Sequence, residues 1–107
     1  MSDVQTPVLL QPSGRLDANT SQQFESEMLA QLNESPQGMV MDFSNLSYVS
    51  SAGLRVVLLA AKKVKAAGGR FVLCGISPAI LEVFRVSGFL SILTVAPDRD
   101  AALAKFA

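Results

Sequence analysis

Serines crowd one short stretch of this sequence, and little other chemistry accompanies them. The stretch is Asp42-Phe43-Ser44-Asn45-Leu46-Ser47-Tyr48-Val49-Ser50-Ser51-Ala52-Gly53-Leu54-Arg55. A serine hydroxyl becomes a nucleophile only when a base, its own or a partner's, takes its proton. The chain has no histidine, which excludes a Ser-His-Asp triad and any histidine general base. Its single cysteine, Cys74, cannot form an internal disulfide. With histidine absent as well, no zinc site of nitrogen and sulfur ligands can be built. Neither GxxxxGK(S/T) nor GxGxxG occurs after a strand, so the common phosphate-cradling loops are missing. Lys62, Lys63 and Lys65 lie at the far end of the helix that the serines begin, away from any serine–lysine pairing. No enzyme activity, cofactor or metal is expected.

The elements that must position this stretch follow from glycine, proline and hydrophobic periodicity. Val8-Leu9-Leu10 begins a strand that is expected to run to Gly14-Arg15-Leu16-Asp17. Asn19-Thr20-Ser21 offers N-cap residues, and Thr20 with Gln23 has the form of a capping box. Phe24, Met28, Leu29 and Leu32 then repeat at helical spacing. Met39 to Phe43 reads as a buried strand, and Ser44 to Ser51 as a polar loop with Leu46 and Val49 tucked inward. Leu54, Val57, Leu58, Ala61 and Val64 mark a second helix, closed by lysines and Gly68-Gly69. Phe71 to Ile76 is a third strand. Ser77-Pro78 opens a short helix carrying Leu81 and Phe84, which stops at Gly88. Ile92 to Ala96 is a fourth strand, and Pro97-Asp98 starts a terminal helix with Leu103 and Phe106 on one side. The order β-α-β-α-β-α-β-α predicts one α/β domain over residues 1–107, a mostly parallel sheet of four to five strands with helices packed against it.

Composition bounds the function further. The 107 residues fit one domain, and half of them are hydrophobic, enough for a core without staples. Nine basic and nine acidic residues cancel, which removes the electrostatic reason to bind nucleic acid or an anionic membrane. Residues 1–7 carry no signal-peptide pattern, and the apolar run from Val56 to Ala61 is too short to span a bilayer, so a cytoplasmic protein is expected. Cys74 lies in an apolar run and reads as a small core residue, as do Met28, Met39 and Met41.

In a parallel α/β sheet, ligands gather beyond the carboxyl ends of the strands, where the serine-rich stretch joins a strand to a helix. Read from the residues alone, Ser50 and Ser51 are helix caps. The stretch nevertheless resembles the signature of STAS domains, specifically the bacterial anti-sigma factor antagonists. There, a strand ending in Asp is followed by Ser-x-Leu-x-x-hydrophobic-x-Ser-Ser/Ala-Gly-Leu. Gly14-Arg15-Leu16-Asp17, Gly68-Gly69-Arg70 with Phe71 to Cys74, and Ser77-Pro78 with Phe84 and Ser87-Gly88-Phe89 resemble further family segments, so that residues 8 to 106 are covered in order.

The resemblance implies a phosphorylation site at Ser51, two places before Gly53. It also implies partners: an anti-sigma factor that is a serine kinase of the GHKL type, and a PP2C-type phosphatase. Unphosphorylated protein would bind the anti-sigma factor and free the sigma factor. Two positions depart from the family: Ser50 stands where Asp is frequent, and Ala52 where a second serine is frequent, which leaves Ser50 as the alternative acceptor. The family's extra edge strand would have to come from residues 1–7, otherwise the edge is blunted by Pro7 and Pro12 or paired in a weak dimer.

Around Ser51, the partner-binding candidates are Asp17, Ser50, Gly53 and Arg55. Asp17, at the first strand's end, is expected near Ser51 and reads equally as a turn aspartate. Gly53 is expected to leave the first helical turn open to an approaching partner. Arg55 reads as a partner contact or as a solvated charge, and Tyr48 as exposed near the site. Asp42 reads as a cap on the Ser44-Asn45 turn. The rivals are a STAS subunit of a membrane transport system that is never phosphorylated, and a receiver domain phosphorylated on Asp42, which lacks the second strand-end acid needed to hold Mg²⁺.

Overall fold

The computed structural model describes residues 7–34 and 38–106. The chain runs β1 (Val8–Leu10), β2 (Gly14–Leu16), α1 (Ser21–Glu34), β3 (Gly38–Asp42), β4 (Leu46–Val49), α2 (Ser51–Ala66), β5 (Arg70–Cys74), α3 (Pro78–Val86), a 3₁₀ turn (Phe89–Ile92), β6 (Thr94–Ala96) and α4 (Arg99–Ala104). A four-stranded sheet has the order β1-β3-β5-β6, and β2 with β4 forms a second sheet of two strands. Every pairing is parallel. The single α/β domain expected from the alternating pattern is therefore present. The question of an extra strand before Val8 falls on residues outside the described ones.

The central strands show why their sequences are continuously apolar. β3 and β5 pair in register from Gly38 opposite Arg70 to Asp42 opposite Cys74. Because successive side chains point to opposite faces, each strand feeds two cores. Met39, Met41, Phe71 and Leu73 face α1, α2 and α3 and join Phe24, Met28, Val57, Val64 and Phe84. Val40, Val72 and Cys74 face the other way, against Ala96 and Ala102 of the terminal segment. Cys74 and the three core methionines are fully buried, as expected.

Several local expectations change. The first strand is two. Pro12 has no N–H to give a ladder, and Gly14 turns at φ +75°, so the chain leaves the main sheet after Leu10 and pairs anew with β4. The segment taken as a loop contains β4, whose buried Leu46 and Val49 enclose exposed Ser47 and Tyr48. That pattern has no strand period because the register shifts between Gly14 and Arg15. The Thr20–Gln23 capping box does not form. The Thr20 hydroxyl donates to the Arg15 carbonyl and accepts from the Asp17 N–H, while the Gln23 amide reaches Glu27.

The faces of three helices rotate. On α2, Val56 and Ala60 are buried while Leu58 and Ala61 sit at the margin. On α3, Ile80 packs inward and Leu81 is exposed, and on α4 Ala102 takes the buried place expected of Leu103. Ile92 lies in the 3₁₀ turn, largely exposed, and the last strand begins only at Thr94. The cap at Ser77 holds, its hydroxyl accepting from the Ile80 N–H with Pro78 in the first turn. Among the described residues, no helix is long and apolar enough to cross a membrane.

Candidate functional site at the head of the second helix

The serine-rich segment folds as β4 followed at once by α2, and a single hydrogen bond sets where the helix begins. The Ser50 N–H donates to the Leu16 carbonyl at the end of β2, 2.9 Å away. Ser50 then adopts extended geometry, φ −91° and ψ 176°, and its hydroxyl accepts from the Gly53 N–H at 3.3 Å. Ser50 is thus the N-cap, half-buried and engaged. Ser51 is the first residue of α2, exposed, and its hydroxyl has no hydrogen-bond partner among the described residues.

Gly53 corrects the expectation that it leaves the first turn open to a partner. It is buried and faces inward. A Cβ there would stand 2.6 Å from the Leu16 carbonyl oxygen and 2.8 Å from Leu16 Cγ. Its role is to let the first turn of α2 close against the end of β2, the same contact that fixes Ser50.

Beside Ser51 runs an open groove of about 390 Å³, lined by Ser51, Leu54, Arg55 and Leu58 of α2 with Ser87 and Phe89 from the far wall. Arg55 is exposed, four residues on from Ser51. Sequence reasoning missed the groove's apolar floor. Leu54 and Leu58 read as core positions, and nothing in the spacing shows that the exit from α3 lies alongside them.

Asp17 follows Leu16, whose carbonyl accepts from the Ser50 N–H at the head of α2. Its carboxylate is committed locally. Oδ1 accepts from the Asn19 N–H at 3.0 Å and the Thr20 N–H at 3.3 Å, and Oδ2 accepts from Arg15 Nε at 3.3 Å. The Asn19 amide, followed by the Arg15 and Thr20 contacts, holds its carboxyl below the ordinary value despite some opposing desolvation. Arg15 also lies over the Tyr48 ring, 4.2 Å from its centroid. The two stand opposite each other in the β2–β4 register. The exposed Tyr48 was anticipated, but its partner was not, because the pairing strand itself was missing from the sequence reading.

Asp42 supports the other end of the segment. Its Oδ1 accepts from the Ser44 N–H at 2.9 Å, the expected turn cap. Beyond that, Oδ2 is 3.0 Å from the Arg99 guanidinium of α4 and 3.4 Å from the Gln11 amide. Gly75, at φ +66°, passes so close that a Cβ would meet Oδ1 at 2.6 Å. Burial disfavours the ionised form, yet the Ser44 hydrogen bonds and Arg99 outweigh it and lower its pKa.

Both aspartates therefore bind protons more weakly folded than unfolded. Their stabilisation is complete above the ordinary carboxylate value of 3.8 and is lost as pH falls through the lower folded value. Asp42→Asn is expected to cost about 1–2 kcal/mol at neutral pH, since a charge-assisted hydrogen bond is worth about 1.5–3 kcal/mol and Arg99 is partly solvated. It should also flatten the loss of stability below about pH 4. Urea melts of both proteins at pH 7 and pH 3 check this, and equal pH slopes would refute it.

With this geometry established, comparison with known proteins places the chain. Residues 2–102 match the STAS domain family. BtrV of Bordetella bronchiseptica, assigned as an anti-sigma factor antagonist, is 46% identical over 93 residues, covering 87% of this chain and 80% of its own. Among solved structures, a protein of Thermotoga maritima assigned to the same class superposes with a TM-score of 0.87 at 18% identity, covering 92% of this chain and 85% of its own. The Bacillus cell fate determinant SpoIIAA in its phosphorylated form superposes with a TM-score of 0.70 at 23% identity, covering 92% and 89%. The chain belongs to the STAS domain family, among the anti-sigma factor antagonists.

Proposed function

We propose that this antagonist is a phosphorylation-gated binding protein of the cytoplasm, without catalytic activity of its own. Unphosphorylated, it docks an anti-sigma factor through the head of α2 and the adjoining groove, and so frees a sigma factor. The anti-sigma factor, a serine kinase of the GHKL type, transfers the γ-phosphoryl of ATP to Ser51 Oγ. The hydroxyl proton is lost, ADP leaves, and the modified protein is released. A PP2C-type phosphatase hydrolyses the ester, returning the hydroxyl and inorganic phosphate. Asp17, Ser50, Gly53 and Arg55 surround the acceptor in this reading, Ser50 and Gly53 by shaping the turn and Arg55 by facing the partner.

The observation that carries the proposal is the division of labour between the two serines. The Ser50 hydroxyl is used as the cap. The Ser51 hydroxyl is exposed at the rim of an apolar groove. A kinase reaches the second without unmaking a helix cap. The family's name supplies the anti-sigma factor as partner, and a protein of the same fold is known in a phosphorylated form.

The test is co-purification from the native host, followed by incubation with the recovered kinase and ATP and by phosphopeptide sequencing. Phosphate on Ser51 is expected. Phosphate on Ser50 or Ser47 with Ser51 unmodified would sink the assignment, and co-purification with a permease or transport ATPase would favour a transport subunit instead.

A further inference from the structure

We infer that Arg55 is the counter-ion for a phosphate on Ser51, joined to it along one face of α2. The inference rests on Ser51 being the modified residue, and it concerns what the phosphate then meets. The two residues are four apart in a continuous helix and line the same groove. At that spacing Cβ atoms are about 5–6 Å apart, within reach of a guanidinium and a phosphate ester. The order is the favourable one, with the anion N-terminal to the cation. Arginine adds a planar pair of N–H donors that fits two phosphate oxygens.

Three other arginines are already paired, and the lysines of α2 lie far along the helix. Among the described residues Arg55 forms no ion pair, whereas Arg15 is held by Asp17 and Tyr48, Arg85 by Glu82 and Arg99 by Asp42. Lys62, the next cation along α2, lies eleven residues beyond Ser51, roughly 16 Å along the axis at about 1.5 Å per residue. Among the described residues, no carboxylate lines the groove to compete for Arg55. The pairing has a consequence for the switch. Modification adds negative charge at the rim of the groove and also withdraws a cation from it, so two features of the face offered to a partner change together.

The test does not depend on any kinase. Phosphoserine is placed at position 51 of the full chain by genetic encoding, and its second ionisation is followed by ³¹P NMR between pH 4.5 and 8. A neighbouring cation favours the dianion, so Arg55→Gln should raise the midpoint by about 0.3–0.6 units at low ionic strength, from a Coulomb interaction across about 5 Å of water partly screened by salt. The helix terminus is common to both proteins and cancels. At 1 M salt, where the screening length is about 3 Å, the difference should vanish. Arg15→Gln should leave the midpoint unchanged. An unchanged midpoint in Arg55→Gln at low salt, or a larger shift in Arg15→Gln, overturns the inference. If a kinase modifies a different serine, the functional proposal falls while this titration still reports on Arg55.

Discussion

Ser51→Asp is expected to lose at least tenfold in affinity for the anti-sigma factor while remaining fully folded. Ser51 is exposed, so replacing its side chain disturbs little packing. At the first position of a sixteen-residue helix, a carboxylate meets the positive end of the dipole, worth about 0.3–1 kcal/mol in favour of the fold. The melting temperature should therefore hold or rise slightly. Binding responds in the opposite direction. The new charge stands at the rim of a groove floored by Leu54, Leu58 and Phe89, and a partner covering that floor must strip water from it. A tenfold loss corresponds to about 1.4 kcal/mol, a modest part of such a desolvation cost. Ser51→Ala, which cannot be phosphorylated, should bind permanently. Isothermal titration with the anti-sigma factor, alongside thermal melts, decides the matter. An aspartate variant that melts far earlier, or binds as well as the parent, removes direct blocking as the mechanism.

Gly53→Ala should destabilise the domain by about 2–3 kcal/mol, against the usual trend for this exchange in helices. In an open helical position, alanine is favoured over glycine by up to about 1 kcal/mol. Here the added methyl would stand 2.6 Å from the Leu16 carbonyl oxygen, which is backbone and cannot rotate away. Overpacking a filled site costs about 1–3 kcal/mol, and the clash with a main-chain atom puts this one at the upper end. The strain has one outlet, a retreat of the first turn of α2 from β2. That retreat would break the bond from the Ser50 N–H to Leu16 and displace Ser51 with it. The variant should thus lose affinity for the partner as well as stability. A urea titration measures the first effect. A midpoint equal to or above the parent's would show that the space is not filled.

Both results depend on a contact between β2 and α2 that no local pattern in the chain announces. Much else was legible locally. β3 and β5 are runs of apolar residues because both faces are covered, and such runs are readable without knowing what covers them. The starts of α3 and α4 follow from Ser77-Pro78 and Asp98, whose side chains bond to N–H groups three residues on. Glycines at 68 and 88 end α2 and α3 in the left-handed conformation they tolerate best. From residue types and spacing, Ser50-Ser51-Ala52-Gly53-Leu54 read only as a serine-capped helix start, and it was the resemblance to the family signature that pointed to Ser51.

Only the tertiary structure decided what those residues do for one another. Whether Ser50 or Ser51 caps the helix depends on where α2 starts, and that start is set by the Leu16 carbonyl, thirty-four positions earlier in the chain. The inward role of Gly53 comes from the same approach. β4 was hidden because its strand character lies in backbone pairing with β2 rather than in alternating side chains. The Arg99–Asp42 pair joins residues 57 apart, and the groove beside Ser51 needs α2 and the segment after α3 to lie together. Local propensity and periodicity act over a few residues, so they establish which elements form. Contacts between elements distant in sequence are properties of the assembled chain, and they determine which hydroxyl is left free.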